Sequence, residues 1–515
     1  MSSLPHRRLS RSACALSLAA LSCLAACGGG DGPAGPVPVT TVAVTAPTTD
    51  VLADQTLQLT AVPRDGAGQP LAGRAVTWRS EDSTVARVDA TGLVTGMLVG
   101  VATIVAASEG KEGRLHVVVH SRVKTLSIGT LNYFGLGQSY LPAVAVGGTR
   151  SVSCGALDSA SAVIPTTSAR WSSSNPAVAT VQGVGSYVLV TGVAPGKVTL
   201  TATFEGVRAE FPLVVRKGYT LTEFNGFSAQ VTNLNEQGHV VGKIDSRAFL
   251  WRDGEMIDLG LPKSIAWDVN DLGQVVGEFD IHPTQDPDPL HPFLWVAGQV
   301  TDLAPGAAEH THAMAINGQG DVVGYSGPRF LTLYEPAHAV VWRGGQMQDL
   351  GTLAGGSAAY AVDINAQGDV VGFLRHPGSL ANWPYVIRNG QLTELGVQNG
   401  LGQTLVALGD DGTVVGNTDQ TAFLWKGGAL TYIPTDPGAA MRASDVNGLG
   451  QVVGQVQWSF GSFPFLWSDG VAVDLGWLVI PSPQLSTIRR ARAINDRGQI
   501  AVETSSGIGL LTPVP

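Results

Sequence analysis

The sequence predicts an all-β protein in which two β-sandwiches precede a seven-bladed β-propeller. Three observations support this fold class. Charged residues make up only 14% of the 515 residues, against ~25% in typical globular domains, which disfavours long charge-laced helices. Short apolar segments broken by turn residues every ~8 to 12 positions, typical of sandwiches, fill the chain from Val39 to about residue 216. The rest of the chain repeats every 35 to 48 residues, a period typical of propeller blades.

Length and charge limit the class of protein. A chain of 515 residues is too long for one compact core, and ~100 to 200 residues per domain predicts three to five folded units. The formal charge is −10, and it becomes −13 once the three arginines of the first 26 residues are removed. Because phosphate binding requires a basic surface, nucleic acid is not an expected partner.

Residues 1–26 have the pattern of a secretion signal. A basic segment precedes a run of small and apolar residues from Ala13 to Ala26, and this run is shorter than the about 20 residues that a membrane-spanning helix needs. The run ends in Leu24-Ala25-Ala26-Cys27, which resembles the lipobox of bacterial lipoproteins. The resemblance implies a lipoprotein signal peptide whose removal leaves an acylated Cys27 as the mature N-terminus.

A flexible tether is predicted over residues 27–38, which are rich in Gly and Pro. Gly28 rather than Asp follows Cys27, and by resemblance to lipoproteins of double-membrane bacteria this implies transport to the outer membrane. We therefore expect a protein anchored in the cell outer membrane by lipid on Cys27 and exposed at the cell surface, with no cofactor. The other cysteine of the mature chain, Cys154, is expected to be unpaired and buried.

Two sandwich domains are predicted, over residues 39–120 and 121–216. The segment Val76-Thr77-Trp78-Arg79-Ser80 places a large aromatic residue in the middle of a strand, and the same order of motifs recurs around Trp171. These motifs resemble the bacterial Ig-like domain of group 2, whose members occur as spacers and adhesive stalks on bacterial surfaces. The two tryptophans could form an exposed sugar platform, but their alternating strands favour a core position.

Residues 217–515 repeat the motif A-x-x-x-N-x-x-G-x-V-V-G, followed by A-F-L-W and then by x-x-G-x-x-x-D-L-G. Asn at the first and Gly at the fourth position of a type I turn are physically favoured, because the Asn side chain caps the turn and Gly accepts positive φ. The fifth copy departs, with Gly409 before Gly412. The turn joins the first two strands of a copy, and V-V-G, A-F-L-W and D-L-G lie in the second, third and fourth strands, so each copy predicts four strands. The turn asparagines of the other copies are Asn235, Asn270, Asn317, Asn365, Asn447 and Asn495.

The repeat resembles the HAF-type extracellular repeat over nearly 300 residues. The two ends of the array predict a ring. The seventh copy stops after its third strand, and Leu221-Thr222-Glu223-Phe224 can supply the fourth, because it matches Leu392-Thr393-Glu394-Leu395 of the fourth copy. Such a strand covers an exposed sheet edge. Residues 217–515 are therefore predicted to form a seven-bladed propeller whose recurring tryptophans are structural.

Ligand binding is predicted in the connections of variable length, which all leave the same face of the array. Variable loops on a rigid scaffold commonly carry binding residues. Glu309-His310-Thr311-His312 and the stretch 280–288 contain metal-ligand residue types without the spacing of a known zinc or calcium loop, so no metal is expected. The candidate ligand-binding residues are Tyr334, Arg375, His376, Trp383, Trp458 and Trp477.

Three functions stay open at this point. The favoured one is a lipid-anchored envelope protein whose Ig-like domains hold the propeller away from the membrane to bind a glycan, peptide or protein. The mature chain contains no nucleophile elbow, H-E-x-x-H motif or phosphate-binding loop, so no catalytic residue is assigned and an enzyme is not expected. Propellers also build active sites from scattered loop residues, which keeps a polysaccharide lyase or hydrolase as an alternative. A purely structural stalk is the third.

Overall fold

The computed structural model describes residues 36–129, 140–225, 229–280, 290–307, 310–327, 336–379, 381–397, 406–459, 461–480 and 488–515. The chain divides into two compact units between His120 and Ser121. In these ranges the regular structure is β apart from one 3-10 helix, Leu475–Leu478, so the all-β prediction is confirmed. None of the described segments forms a helix long and apolar enough to span a membrane.

The first unit is a β-sandwich. One sheet has the order β2-β9-β8-β5, a second has the order β3-β7-β6, and β1 pairs with β4. Trp78 lies on β5 and packs against a core that includes Ile104 and Val117, which confirms the core position predicted for it. The strands are β1 (Thr41–Thr45), β2 (Asp50–Leu52), β3 (Thr56–Gln58), β4 (Thr60–Arg64), β5 (Thr77–Ser80), β6 (Ala86–Val88), β7 (Leu93–Gly96), β8 (Gly100–Ser108) and β9 (Lys111–His120).

The second unit begins with another sandwich, with sheets β10-β13-β17-β16 and β12-β19-β18-β15. Trp171 packs in its core and donates a 2.9 Å hydrogen bond from Nε1 to the carbonyl of Gly185. Cys154 is free and buried, as predicted. The strands are β10 (Thr125–Gly129), β11 (Tyr140–Leu141), β12 (Ala143–Ala145), β13 (Thr149–Leu157), β14 (Val163–Ile164), β15 (Arg170–Ser173), β16 (Ala179–Gln182), β17 (Tyr187–Gly192), β18 (Gly196–Phe204) and β19 (Val207–Arg216).

The repeats form seven sheets, each with four antiparallel strands, which we call sheets 1 to 7; sheet 6 has β11 as a fifth strand. Sheets 1 to 6 each contain four consecutive strands, starting with β21. The strands are β20 (Tyr219–Asn225), β21 (Gln230–Leu234), β22 (Val240–Ile244), β23 (Arg247–Arg252), β24 (Glu255–Asp258), β25 (Ile265–Val269), β26 (Val275–Asp280), β27 (Leu290–Val296), β28 (Gln299–Asp302), β29 (His310–Ile316), β30 (Val322–Gly327), β31 (His338–Arg343), β32 (Gln346–Gly351), β33 (Ala358–Ile364), β34 (Val370–Arg375), β35 (Trp383–Arg388), β36 (Gln391–Glu394), β37 (Val406–Leu408), β38 (Val414–Asn417), β39 (Ala422–Lys426), β40 (Ala429–Tyr432), β41 (Ala440–Val446), β42 (Val452–Trp458), β43 (Gly461–Ser468), β44 (Val471–Asp474), β45 (Ile488–Ile494), β46 (Ile500–Thr504) and β47 (Gly507–Pro513).

Sheet 7 is completed by the strand that precedes sheet 1. It has the order β20-β47-β46-β45, and β20 pairs antiparallel with β47 from Tyr219 opposite Pro513 to Asn225 opposite Gly507. The predicted pairing of the N-terminal strand of the array with its last strand is therefore confirmed. This pairing covers the edge that β47 would otherwise expose.

A ladder of asparagine hydrogen bonds connects the turns between the first and second strands of the sheets. In sheet 1, the Oδ1 of Asn235 caps the turn by accepting the backbone N–H groups of Gln237 and His239, and Gly238 has φ of 82°. The Nδ2 of Asn235 then donates to the carbonyl of Asn270 in sheet 2 at 2.9 Å. The same contact joins Asn270 to Asn317, Asn317 to Asn365, Asn447 to Asn495 and Asn495 to Asn235.

The glycine of the V-V-G motif is required by a close approach of two strands. A Cβ on Gly277 would collide with the carbonyl of Ile265 and lie 2.8 Å from the ring of Phe293, which belongs to the F-L-W segment of the same sheet. The same carbonyl collision would occur at Gly242, Gly324, Gly372 and Gly454. The recurring tryptophans also pack structurally, as predicted: Trp295, Trp342 and Trp425 are buried.

Within the second unit, the sandwich contacts sheet 6. Strand β11 extends this sheet by pairing parallel with β44. Arg216 donates a 2.8 Å hydrogen bond from Nη2 to the carbonyl of Ser468. The guanidinium of Arg150 lies 5.0 Å from the ring centroid of Trp477 and donates to the carbonyl of Gly476.

Candidate functional site

A cavity of about 170 Å³ is lined by the first strands of all seven sheets, and we call it the seven-sheet cavity. Each of the seven first strands contributes at least one residue. The lining residues are Gln230, Val231, Thr232, Asn233, Trp267, Met314, Ala315, Val362, Asp363, Ala407, Ser444, Asp445 and Arg492.

β-bulges determine which side chains reach the cavity. In six sheets the register of the first two strands shifts at a residue three positions before the turn asparagine, and sheet 7 has a second shift between Ile488 and Arg490. A bulge re-aims the side chain that it inserts, and all six inserted residues line the cavity. The residue type at this position differs in nearly every copy of an otherwise regular motif. Such variation is expected where a side chain does not pack between the sheets. The six residues are Thr232, Trp267, Met314, Val362, Ser444 and Arg492.

The residue after the bulge is an aspartate in sheets 2, 4 and 6. In Asp363, Oδ1 accepts the backbone N–H of Ile364 and Oδ2 accepts that of Leu408 in sheet 5, at 2.8 and 2.7 Å. Asp445 accepts from Val446 and from Ile494 of sheet 7 in the same way. These two carboxylates therefore join sheet 4 to sheet 5 and sheet 6 to sheet 7.

Loss of hydration raises the pKa of these carboxyl groups. Burial raises the pKa of Asp268 to about 6, although three N–H donors, from Ile316, Val269 and Asn233, partly oppose the effect. The pKa of Asp445 rises to about 7 for the same reason. The pKa of Asp363 also lies well above its ordinary value, through burial first and through its neighbouring acids second. This part of the protein therefore takes up protons at pH values where ordinary aspartates are ionised.

Arg375, His376 and Trp383, which the sequence predicts as ligand-binding residues, come together in sheet 4. The His376 and Trp383 ring centroids are 5.3 Å apart with the rings edge to face, and His376 Nε2 lies 3.2 Å from Glu394 Oε2. Arg375 is buried, donates from Nε to Asn382 and lies 5.7 Å from the ring of Tyr360. His376 and Trp383 are partly exposed.

An aromatic row extends this group towards sheets 2 and 3. Tyr360 meets Tyr325 edge to face, with ring centroids 5.0 Å apart, and Tyr325 stacks on His312 at 4.3 Å. His312 Nδ1 pairs with the carboxylate of Glu278. Burial raises the pKa of the Tyr325 hydroxyl, and Glu278 adds to this rise. These residues lie at the end of the sheets where the first strand begins and the second strand leads into the third, and we call this region the loop end.

Two predictions about these side chains need correction. The sequence predicts Arg375, Trp383 and Trp458 in variable loops, but they lie in β34, β35 and β42, because strands two and three continue further than the V-V-G and F-L-W motifs indicate. Trp477, predicted to bind a ligand, is only 5% exposed, because it lies in the 3-10 helix and packs against Arg150 of the second sandwich.

The remaining predicted residues are placed as follows. Trp458 is partly buried against the apolar core around sheet 6, apart from the Arg375 group. Tyr334 and the lipidation site Cys27 lie outside the described residues. Two residues of the segments considered as possible metal loops contact other protein groups. His310 Nδ1 accepts the N–H of Leu290, and Asp280 lies 3.5 Å from the Lys263 ammonium. No group of three His, Cys, Asp or Glu arranged to hold a metal occurs in the ranges that the structure describes.

Comparison with known proteins identifies the two sandwiches. Residues 38–119 and 142–210 match the bacterial Ig-like domain (group 2), which confirms the resemblance seen in the sequence. The chain is also 30% identical over 174 residues to ice-binding protein 1 of Shewanella frigidimarina (strain NCIMB 400). That alignment covers 32% of this chain and only 18% of the length of the ice-binding protein.

Two solved structures of surface proteins are similar to parts of the chain. The adhesin InvE of Yersinia pseudotuberculosis has 16% sequence identity and a TM-score of 0.26, with 41% of this chain and 69% of that one covered. Domains 4 and 5 of the S-layer protein SbsC have 21% identity and a TM-score of 0.16, with 34% of this chain and 98% of that one covered.

Proposed function

We propose that this chain is a lipid-anchored cell-envelope binding protein in which sheets 1 to 7 form a closed seven-bladed propeller carried by two bacterial Ig-like domains. Three observations support a ring. All seven first strands line one cavity, β20 completes sheet 7, and the asparagine ladder returns from Asn495 in sheet 7 to Asn235 in sheet 1. In an open stack, the first and last sheets would not touch.

The loop end is the proposed recognition surface for a glycan, peptide or protein. The observation that carries this proposal is the meeting of His376 and Trp383, two partly exposed rings, of which His376 also contacts the carboxylate of Glu394. A rigid aromatic pair beside polar groups suits both sugar rings and peptide side chains, because it offers contact area at a low cost in conformational entropy. The mechanism is complementarity without a chemical step.

Glycan-array and pull-down screening of the full chain tests this surface. Trp383→Ala and His376→Ala should each weaken binding of the ligand found by about tenfold or more, because each removes half of the aromatic pair. Tyr432→Ala is the matched control, since Tyr432 is an exposed aromatic residue on the outer strand β40. Equal binding by all three variants would reject the loop end, and no ligand in any screen would favour the structural stalk.

The membrane anchor has its own test. The lipobox around Cys27 supports acylation, and the Ig-like domains support a position outside the cytoplasm. Metabolic labelling with a palmitate analogue should label the wild-type chain and leave Cys27→Ser unlabelled and released from membranes. Protease added to intact cells then distinguishes surface exposure, in which the chain is degraded, from a periplasmic orientation.

A polysaccharide-processing enzyme is the second candidate, favoured by Asp363 and Asp445, two acidic residues that line the same cavity. Their raised pKa values suit a general acid near neutral pH. Release of reducing or unsaturated sugar ends from polysaccharides, abolished in Asp445→Asn, would establish this function in place of binding alone.

A further inference from the structure

The seven-sheet cavity contains polar groups whose hydrogen-bonding capacity the protein does not use fully. Trp267 lines the cavity, and its indole Nε1–H is buried with no hydrogen-bond partner among the residues that the structure describes. Each oxygen of Asp363 and of Asp445 accepts one backbone N–H, and a carboxylate oxygen can accept two. The residues that line the cavity therefore include one with a buried, unpaired donor and two with half-used acceptors.

The same cavity has apolar surface and neutral hydroxyls. Met314 and Val362 contribute aliphatic groups, Trp267 contributes an indole, and Thr232 and Ser444 contribute hydroxyls. Arg492 is held by Glu503, whose Oε1 lies 2.8 Å from its Nε. The cavity thus combines an aromatic and aliphatic surface with hydrogen-bonding groups of both kinds.

We propose that the seven-sheet cavity is a binding site for one small polyhydroxylated molecule, a monosaccharide or polyol. An unpaired N–H requires an acceptor, whereas carboxylate oxygens require donors. A hydroxyl group is both at once, and a sugar ring adds C–H faces that pack on an indole. An organic cation would satisfy the carboxylates but would leave the Trp267 N–H without a partner.

The size of the cavity fits one sugar ring. Its volume of about 170 Å³ is more than ten times the ~10 to 15 Å³ that a cavity needs to hold one water molecule, which is enough for the about twelve non-hydrogen atoms of a hexose. A longer saccharide would have to leave the cavity after its first residue. The site shares no residue with the loop end, so it stands independently of the recognition surface proposed there.

Isothermal titration calorimetry of the full chain in detergent tests the site with glucose, galactose, mannose, N-acetylglucosamine, rhamnose and myo-inositol. At least one of these should bind. Trp267→Phe should weaken that binding at least tenfold, because it removes the N–H donor and keeps an aromatic ring. Ser444→Leu should abolish binding by filling the cavity, and Thr232→Val removes a hydroxyl at nearly constant volume if the larger change prevents folding.

Trp467→Phe is the matched control. The Trp467 Nε1 is also buried and lacks a hydrogen-bond partner within the described part of the chain, but this side chain packs against the apolar core near sheet 6 and does not line the cavity. It should bind the sugar as the wild type does. Absence of binding by all six compounds, unchanged binding by Trp267→Phe, an equal loss in Trp467→Phe, or binding of tetramethylammonium in their place would overturn the proposal.

Discussion

The side chain of Asn495 donates a 2.9 Å hydrogen bond to the backbone carbonyl of Asn235, which lies 260 residues earlier in the chain. Both residues cap equivalent turns, one in sheet 7 and one in sheet 1. A second contact lies beside it, where the backbone N–H of Asp496 donates to Glu236 at 2.7 Å. One asparagine thus caps its own turn through Oδ1 and holds the neighbouring sheet through Nδ2.

Replacing the amide nitrogen of Asn495 should destabilise this junction. Asn495→Asp keeps the turn-capping oxygen but loses the donor to Asn235, so we expect the free energy of unfolding to fall by about 1 to 3 kcal/mol. Asn365→Asp is the control, because Asn365 caps its turn in the same way but donates to no carbonyl of sheet 5 among the described residues. Both changes bury a new carboxylate, so the difference between their urea midpoints reports the two bonds that the Nδ2 of Asn495 donates, to Asn235 in sheet 1 and to Gln499 in its own turn. Equal midpoints would contradict a stabilising role for the ladder.

The sequence was sufficient to predict the strands, turns and sheet order of the array because its repeat encodes local constraints. Asn and Gly at fixed spacing define a turn. Leu221 to Phe224 carry enough of the fourth-strand pattern to indicate that they complete the last sheet of the array. The core positions of Trp78 and Trp171 follow in the same way from strand alternation. These features depend on neighbours along the chain or on the repeat itself.

The seven-sheet cavity could not be predicted by the same reasoning. Its lining depends on bulges, which shift the side-chain alternation by one residue and which the sequence does not mark with a special residue type. The available signal was variation: Trp267, Met314 and Arg492 occupy one equivalent position in a motif that is otherwise regular. The burial of Trp477 could not be predicted for another reason. This side chain packs against Arg150, which lies more than 300 residues away in the second sandwich.

The glycine of the V-V-G motif should not tolerate a side chain. In Gly324→Ala the new Cβ would collide with the carbonyl of His312, and a backbone carbonyl in a bulge has little room to move. We expect a loss of about 3 kcal/mol in the free energy of unfolding, at the upper end of overpacking costs. Gly318→Ala in the adjoining turn is the control, because nothing lies within 4 Å of its Cβ position. Thermal midpoints that agree within error for the two variants would contradict the close approach of β29 and β30.

A disulfide should form between β20 and β47. Thr220 lies directly opposite Thr512, so cysteines at both positions should link on oxidation and close a loop of 292 residues. Long loops give the largest entropic stabilisation, and we expect about 2 to 5 kcal/mol and a higher thermal midpoint that reductant reverses. The pair Thr222→Cys and Thr512→Cys is displaced by two residues from the register and should link slowly or not at all. Faster linking of the displaced pair, measured by mobility on a non-reducing gel, would show a different register.

Asp268 should make the array more stable in mildly acidic solution than at neutral pH. Its ordinary pKa of 3.8 rises to about 6 in the folded protein, so between these values the folded state binds a proton that the unfolded state releases. The contribution of this group is therefore most favourable below pH 4 and declines until the pH passes about 6, by about 1.4 kcal/mol per unit of pKa difference. Asp445, with its pKa of about 7, extends the decline.

Urea midpoints measured from pH 4.5 to 7.5 test this prediction with Asp268→Asn. The variant loses a hydrogen bond at all pH values, because its Nδ2 would face the N–H of Ile316, but its midpoint should fall less steeply with rising pH. Asp258→Asn is the control: the ion pair with Arg247 and the N–H of Gly260 hold the Asp258 pKa below its ordinary value, so its contribution changes only at lower pH. All other titrating groups are common to the three proteins. If the urea midpoint of Asp268→Asn falls with pH as steeply as that of the wild type, the Asp268 carboxyl group is already ionised throughout the range. Its N–H donors would then outweigh the effect of burial on its pKa.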